Sequence, residues 1–214
     1  MKYLELIKGQ FTADHEARAK QEEPYVAYSE EAGGVMYNFI PALVVGPADN
    51  EIWYTSSDGN VVTLNENTSW GASIISNEYN DGKGVITFDK DVTSIGDGAI
   101  NECSSLTSIT LPNSVTSIGR WAFMGCPFLT SITIPEGVTS IGENAFAFCQ
   151  SLTPITLPNS VTSIGGWAFS DCSSLTSIIF DGTIEEWNTV SKGSDWNSGV
   201  PATYVQCTDG QVTL

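Results

Sequence analysis

VTSIGRWAFMGCPFLTSITIPEG, residues 115–137, decides the fold, because close copies of it occur four times in succession. The other copies are VTSIGDGAINECSSLTSITLPNS at 92–114, VTSIGENAFAFCQSLTPITLPNS at 138–160 and VTSIGGWAFSDCSSLTSIIFDGT at 161–183. A fixed period is the signature of a solenoid, in which each copy is one coil that buries its apolar side only against its neighbours. The sequence therefore predicts four stacked 23-residue coils with one continuous interior.

Eight positions of each copy recur as apolar residues and are predicted to point inward. In the second copy they are Val115, Ile118, Ala122, Phe123, Cys126, Leu129, Ile132 and Ile134. The cysteines form one row: Cys103, Cys126, Cys149 and Cys172. Side chains in a straight row run parallel, which suits neither a disulfide nor a tetrahedral metal site. We interpret the row as small buried apolar residues and place Cys207 in the C-terminal cap.

Each copy also contains a strand signal and a glycine at the same position. Leu-x-x-Ile-x-Leu, as in residues 106–111, is typical of a strand with alternate residues buried, and a proline ends it in three copies. The glycine after Ile in each coil (Gly96, Gly119, Gly142 and Gly165) is interpreted as the residue at which the chain turns.

The segments flanking the four copies are predicted to cap the stack. In residues 51–91, the runs 52–55 and 61–64 flank Ser-Ser-Asp-Gly-Asn, which favours a hairpin, and 85–88 begins the solenoid as a half-coil. In residues 184–214, Thr183 and Glu186 form a capping box for a short helix, and the runs 204–207 and 211–214 favour a second hairpin.

Residues 1–50 are predicted to be a separate attachment segment. Residues 1–21 carry apolar side chains at helical spacing, and the runs 25–28 and 35–39 favour a hairpin. The predicted organisation is therefore mainly β: an attachment segment (1–50), an N-terminal cap with a half-coil (51–91), four repeats (92–183) and a helix-plus-hairpin C-terminal cap (184–214).

The chain is strongly acidic, with 25 acidic against 8 basic residues and a formal net charge of -17. Such a surface repels phosphate backbones, so nucleic acid is not expected as a partner. No apolar run is long enough for a membrane span, so no membrane insertion is expected. The first eight residues lack the apolar core of a secretory signal, which predicts a cytoplasmic or virion-borne protein if the sequence is complete.

Catalytic chemistry finds little support in the sequence. The single histidine, His15, lies far from the repeat serines, and no nucleophile-elbow motif is present. The consecutive carboxylates at 22–23, 30–31 and 185–186 stand in polar contexts typical of solvated surface. We expect no enzyme, no cofactor and no metal.

Two surfaces are candidates for binding. One is the strand face, where Thr110, Thr133 and Thr156 share a phase in a lattice of hydroxyls; strand propensity alone is the alternative explanation. The other is the variable pair after each glycine, which contributes Trp121, Asn144 and Trp167. The two tryptophans lie two coils apart, about 9–10 Å. They are candidates to stack on a sugar or anchor a protein, or to cover the rim of the stack.

The repeats resemble the BspA-type leucine-rich repeat family, whose coils have the form L-T-S-I-x-I-P-x-S-V-T-S-I-G-x-x-A-F-x-x-C. The resemblance extends over residues 51–214, because G-T-I-E-E-W and the later V-x-C-x-D-G are similar to that family's C-terminal cap. Ile100, Pro154 and Ile179 depart from the pattern. The resemblance implies a right-handed leucine-rich-repeat solenoid and a bacterial or protist surface or secreted protein, associated with adhesion to proteins, cells or glycans.

Three functional hypotheses follow from these features. The first is a non-catalytic binding or adhesion module that recognises a protein or glycan through the repeat surface, with residues 1–50 attaching it to a larger assembly. The alternative is a structural or receptor-binding subunit of a phage particle or injection device, docked through its N-terminal segment. The third is an intracellular scaffold.

Overall fold

A computed structural model describes residues 46–65 and 68–214, together with the backbone of residues 25–27 and 37–39. The chain divides into two compact units, Met1–Val45 and Gly46–Leu214. In the first unit, strands β1 (Tyr25–Ala27) and β2 (Tyr37–Phe39) pair antiparallel, as the two β-prone runs predict. The helix predicted over residues 1–21 lies outside the described residues.

The second unit is a solenoid with strands along two of its sides, which confirms the predicted fold class. On one side, two-residue strands pair in parallel, each with the equivalent residues of the next coil. They are β6 (Ser94–Ile95), β8 (Ser117–Ile118), β10 (Ser140–Ile141), β12 (Ser163–Ile164) and β14 (Ser191–Lys192). The isoleucines of these strands therefore form a continuous row, and those of the four copies are buried.

The other side carries the longer strands. They are β7 (Leu106–Thr110), β9 (Ser131–Thr133), β11 (Pro154–Leu157), β13 (Ser177–Phe180), β15 (Tyr204–Cys207) and β16 (Gly210–Thr213). β7 pairs with β9, and β11 with β13 and then β15, all in parallel; β16 returns antiparallel to β15. No strand pairing joins β9 to β11 in the described sheets, so this side consists of two sheets.

Pro154 explains the break between β9 and β11. It stands where Ser131 and Ser177 stand in the neighbouring coils, and proline has no N–H to donate to a ladder. Ile132 and Ile134, on the coil before the break, are the most exposed residues of their interior rows, at 8% each. The sheet therefore loosens where the repeat pattern departs from Ser.

Replacing Pro154 with serine should restore the missing donor and stabilise the protein. We expect the free energy of unfolding to rise by about 0.5–1 kcal/mol, since a net hydrogen bond contributes about 1 kcal/mol and proline's lower unfolded-state entropy offsets part of it. The urea midpoint is the measurement. Pro127→Ser is the matched control, because that proline precedes its strand and its replacement should give no gain; a midpoint that falls for Pro154→Ser contradicts the explanation.

The interior rows are in register, as predicted. Phe123, Phe146 and Phe169 stack with ring centroids 5.2 and 5.3 Å apart and nearly parallel planes. In the cysteine row, the thiol of Cys126 donates to the carbonyl of Ile100 at 3.0 Å, and Cys149 and Cys172 repeat this bond one and two coils later. All the cysteines of the described residues are buried free thiols.

The repeat glycines are needed for a reason other than the predicted turn. None of the four has a positive φ; the left-handed residues lie two positions later in each coil. At Gly142 a Cβ atom would lie 2.5 Å from the backbone nitrogen of Arg120 and the carbonyl carbon of Gly119 in the preceding coil. Glycine is therefore required by the close approach of successive backbones.

The N-terminal end differs from the prediction. β3 (Glu51–Ser56) does not form a hairpin with residues 61–64, which contain no strand; it runs antiparallel between β5 (Lys83–Phe88) and β7, with β4 (Ile74–Asn80) paired to β5. The half-coil strand β5 therefore does not adjoin β7, and Ile52 and Tyr54 of β3 enter the core. The backbone groups of Val62 form hydrogen bonds with side chains instead of with a strand: the N–H donates to the Tyr54 hydroxyl at 3.4 Å, and the carbonyl accepts from the Asn77 side chain at 3.0 Å.

At the C-terminal end the structure adds a fifth turn that the 23-residue pattern does not mark. Ser191 pairs with Ser163 although it follows at an interval of 28 residues, because helix α1 (Ile184–Thr189) is inserted between the two coils. Trp196 ends the phenylalanine row edge-on, 6.1 Å from Phe169. The inserted helix thus lengthens the coil without ending the stack.

Helix α1 has both hydrogen bonds of the capping box. The Glu186 backbone N–H donates to the Thr183 side chain, and the Thr183 backbone N–H donates to the Glu186 carboxylate. Its Trp187 is buried against the ring of Phe180. Lys192 takes the place of isoleucine in the last short strand, and its ammonium donates to the carbonyls of Trp187 and Val190 at 2.8 Å each. The lysine stem covers the apolar end while its charge satisfies carbonyls at the end of the helix.

Candidate binding face

Two rows of residues in the left-handed backbone region run along one face of the solenoid, which we call the left-handed face. The first row lies two positions after the repeat glycine and comprises Gly98, Trp121, Asn144, Trp167 and Asp195, with φ between 53° and 63°. The second row lies immediately before the cysteine position and comprises Glu102, Gly125, Phe148, Asp171 and Gly199, with φ between 55° and 72°.

Hydrogen bonds between coils accompany this conformation. The N–H groups of Trp121, Asn144 and Trp167 donate to the carbonyl of the residue before the corresponding position in the next coil, at 2.9, 2.9 and 3.1 Å. Phe148 donates in the same way to Ser170 at 2.8 Å. Each of the four repeats makes these bonds, so the backbone imposes a positive φ on whichever residue stands there.

Six of the ten residues are Gly, Asn or Asp, the types that tolerate this conformation best. Three of the other four are aromatic: Trp121 is 39% exposed, Phe148 48% and Trp167 42%. For bulky side chains, a left-handed backbone costs on the order of 1–3 kcal/mol. More than half of each residue's surface is nevertheless covered, at the rim of a core that Ala122 and Phe123, and their equivalents in each coil, fill.

Carboxylates surround the aromatic rings on this face. Asp97, Glu102, Asp171 and Asp195 are exposed, and Glu143 is half-buried beside Asn144. Arg120, the single basic residue of the four repeats, forms an ion pair with Asp97 at 3.3 Å and lies over the ring of Trp121, 5.0 Å from its centroid. The face is therefore aromatic and negatively charged.

The structure brings Trp121, Asn144 and Trp167 into one row, as their shared phase predicts, with Asn144 half-buried between the two tryptophans. Sequence reasoning missed Phe148. A signal was available, because the position before the invariant cysteine varies among Glu, Gly, Phe and Asp, as exposed positions do.

The strand-face threonines are not brought together as one lattice. Thr110 and Thr133 are in register, but Thr156 lies beyond the break at Pro154 and pairs with Ile179. Thr110 adjoins Trp53 of β3. This neighbour adds aromatic and charged groups to the face, since Lys83 lies over the Trp53 ring and the Trp53 indole donates to Glu51 at 2.9 Å.

Other hydroxyls of the repeats have a structural role. Thr116, Thr139 and Thr162 each donate to a threonine carbonyl of the preceding coil at 3.0–3.2 Å, and Thr130 donates to Thr107 at 3.0 Å. These bonds hold neighbouring coils together and leave those groups committed to the fold.

The interior thiols are unsuited to nucleophilic chemistry. Burial raises the pKa of Cys126 and of Cys172 to about 12 and raises that of Cys149 well above its ordinary value. A cysteine reacts as its thiolate, so these groups stay inert at neutral pH. Within residues 46–65 and 68–214, no group of three His, Cys, Asp or Glu side chains is arranged to hold a metal ion. His15 lies outside the described residues.

No helix in the described part of the chain is long and apolar enough to cross a membrane. Coils with short parallel strands, aligned apolar rows and variable exposed positions define a leucine-rich-repeat solenoid. The family model described as BspA type leucine rich repeat region (6 copies) matches residues 79–191. The chain belongs to this family.

Several solved leucine-rich-repeat proteins are similar to it. The T. pallidum leucine rich repeat protein is 34% identical, with 55% of this chain and 53% of that chain covered and a TM-score of 0.49. A leucine rich cell surface protein of Faecalibacterium prausnitzii is also 34% identical, with 48% and 33% covered and a TM-score of 0.40. A Bacteroides capillosus leucine-rich repeat protein is 29% identical, with 64% and 97% covered and a TM-score of 0.41.

The matched part of this chain spans about half of the T. pallidum protein and a third of the Faecalibacterium protein. A comparison with curated proteins gives no match. The family and fold are those of a non-catalytic repeat module, a class that generally presents extended surfaces for binding.

Proposed function

We propose that this protein is a non-catalytic binding module that recognises a protein partner through the left-handed face. The observation that carries the proposal is the set Trp121, Phe148 and Trp167: three exposed aromatic residues at backbone positions that disfavour them. Residues held in a strained backbone conformation cluster at functional sites, and none of these three belongs to the buried core. Exposed aromatic side chains are also the residues most often found at the centres of protein interfaces.

Charge indicates what kind of protein fits. Residues 46–214 contain 18 acidic and 4 basic residues, against 7 acidic and 4 basic in residues 1–45. A surface of one sign steers partners of the opposite sign and repels others. The complementary surface is therefore a basic one, and a protein with exposed Lys or Arg supplies it better than an uncharged glycan does.

The strand-face threonines Thr110, Thr133 and Thr156 are a weaker candidate. The break at Pro154 divides them, and flanking Trp53 and Ile179 interrupt the hydroxyl pattern that a glycan would follow. They serve as the comparison surface in the experiment.

The test replaces both tryptophans with asparagine, the residue that the same row carries at Asn144. We expect Trp121→Asn with Trp167→Asn to abolish retention of a basic ligand protein while the free energy of unfolding changes by less than about 1 kcal/mol, since asparagine tolerates a positive φ better and this offsets the lost burial of the rings. A panel of basic proteins and a glycan array are screened with the wild-type chain, and each hit is then measured by calorimetry with both variants.

Thr133→Ala with Thr156→Ala is the matched control and should leave binding unchanged. If a ligand is lost with the threonine variant but kept by the tryptophan variant, the binding face is wrong. If the wild-type chain binds only glycans, and the tryptophan variant loses that binding, the proposed face is correct but the proposed protein partner is wrong.

The attachment of the module to a larger assembly through residues 1–50, a phage particle included, stays a prediction. Asp49 and Asn50 accept hydrogen bonds from Val92 and Phe88 of the solenoid unit at 2.7 and 2.9 Å. A truncation that tests attachment therefore removes residues 1–45 and keeps these two, and co-purification of the truncated and full chains is compared.

A further inference from the structure

The left-handed face contains a three-residue arrangement and an incomplete copy of it. In the first, a carboxylate of one coil (Asp97) is followed in the next coil by Arg120 and Trp121. Two coils further along, 46 positions later, the equivalent residues are Glu143, Gly166 and Trp167. The carboxylate and the tryptophan are repeated, whereas the arginine is replaced by glycine.

In the first arrangement, the guanidinium of Arg120 is held between the other two side chains. Its Nε and Nη2 donate to Asp97 Oδ2 at 3.4 and 3.3 Å, while the Arg120 backbone N–H donates to Asp97 Oδ1 at 2.8 Å. Its central carbon lies 5.0 Å from the centroid of the Trp121 ring. This distance is within the range of a cation–π interaction. The left-handed face therefore binds one arginine side chain of its own, through a carboxylate and an indole ring.

The second arrangement has the same framework without a cation. Trp167 has a φ of 53° against 56° for Trp121, and both N–H groups donate to the next coil. The Glu143 carboxylate forms no ion pair or hydrogen bond with any described residue, and the Trp167 ring has no cation over it there. Gly166 has no side chain at the position where Arg120 stands two coils earlier.

We propose that Glu143, Gly166 and Trp167 form a subsite for an arginine side chain of the protein partner, which occupies the place that Arg120 takes beside Asp97 and Trp121. This rests on the proposed function and names the chemistry recognised at one point of the face. Arginine fits better than lysine, because its planar guanidinium stacks on an indole while its N–H groups reach a carboxylate. Each contact alone is weak at an exposed site, so the subsite supplies one anchor of a larger interface.

The test follows the indole N–H resonances of assigned tryptophans in ¹⁵N-labelled protein as N-acetyl-arginine amide is added. In the wild-type chain, we expect Trp167 to shift in a concentration-dependent manner, several-fold more than Trp121, and more than with N-acetyl-lysine amide. Arg120→Gly should open the first arrangement, so that Trp121 begins to shift as Trp167 does. Gly166→Arg should fill the second, so that the Trp167 response is lost.

Gly166→Ala is the matched control for the last variant. Both substitutions place a Cβ 3.2 Å from the Ser194 carbonyl oxygen, but only arginine brings a guanidinium, so the alanine variant should keep the response. The resonances of buried Trp70, Trp187 and Trp196 report whether each variant is folded. Should Gly166→Arg fail to fold, Arg120→Gly still decides the question.

Equal shifts of Trp121 and Trp167 in the wild-type chain, or a Trp121 that stays unresponsive in Arg120→Gly, would overturn the subsite. If arginine fails in this way while the double asparagine variant still loses its ligand, the binding face stands and only the arginine assignment falls. If the double variant keeps its ligand although arginine binds at Trp167, the proposed function falls instead.

Discussion

Substituting Phe146 with alanine is expected to lower the free energy of unfolding by about 3–5 kcal/mol. The ring is fully buried and stacks between Phe123 and Phe169 at 5.2 and 5.3 Å. Backbone hydrogen bonds fix the spacing between this coil and its neighbours, for example the bond from Phe146 N to the Ala168 carbonyl at 2.8 Å. The cavity therefore cannot collapse easily. Chemical denaturation followed by far-ultraviolet circular dichroism measures the loss.

Phe148→Ala is the matched control, because it removes the same side chain from the same coil two positions later. Phe148 is exposed and left-handed, so its loss should change the free energy of unfolding by no more than about 0.5 kcal/mol. Comparable losses for the two variants would contradict a phenylalanine row as a main source of stability. Tryptophan fluorescence is recorded in parallel, since a repeat array can unfold in parts.

The repeat interior was predictable because the period makes one argument serve four times. A position that is apolar in every copy faces the same neighbours in every coil, so register follows once the coils stack. The row of cysteines illustrates this: Cys126 and Cys149 could be assigned to the interior from their interval alone. Their bonds to preceding carbonyls could not, because the sequence does not fix where a thiol points.

The two ends were harder to predict because their partners are remote in sequence. Local patterns favoured a hairpin between 52–55 and 61–64, but β3 gains two long strand partners, β5 and β7, by inserting between them. Competition between a short local pairing and a double remote pairing is not visible in a window of ten residues. At the other end, helix α1 alters the interval to the last turn, and Lys192 stands there where the repeats have isoleucine.

For the candidate site, sequence placed Trp121, Asn144 and Trp167 in one phase but gave no indication of their backbone conformation. Glycine, asparagine and aspartate mark left-handed positions, and the two tryptophans mask that signal. Reading the row across all five turns, Gly98 and Asp195 included, reveals it. The break in the threonine rows likewise depended on Pro154, whose departure from the pattern was visible while its effect on the sheet was not.

Gly142→Ala is expected to lower the free energy of unfolding by about 3 kcal/mol, at the upper end of what overpacking usually costs. The added Cβ would lie 2.5 Å from two backbone atoms of the preceding coil, Arg120 N and Gly119 C. Backbone atoms cannot move aside as the end of a flexible side chain does. Neighbouring coils must therefore separate, which weakens the hydrogen bond from Gly142 N to the Ile118 carbonyl, now 2.8 Å.

Gly46→Ala is the control, because a Cβ there would meet no atom of the described residues within 4 Å and the backbone has no positive φ. It should leave stability unchanged or raise it by about 0.4–1 kcal/mol through the unfolded chain. The urea midpoints of both variants decide between the two explanations of the glycine row. A small loss for Gly142→Ala would mean that the coils can separate at little cost. A large one with unchanged coil-to-coil spacing in a crystal structure would mean that strain is stored within the coil itself.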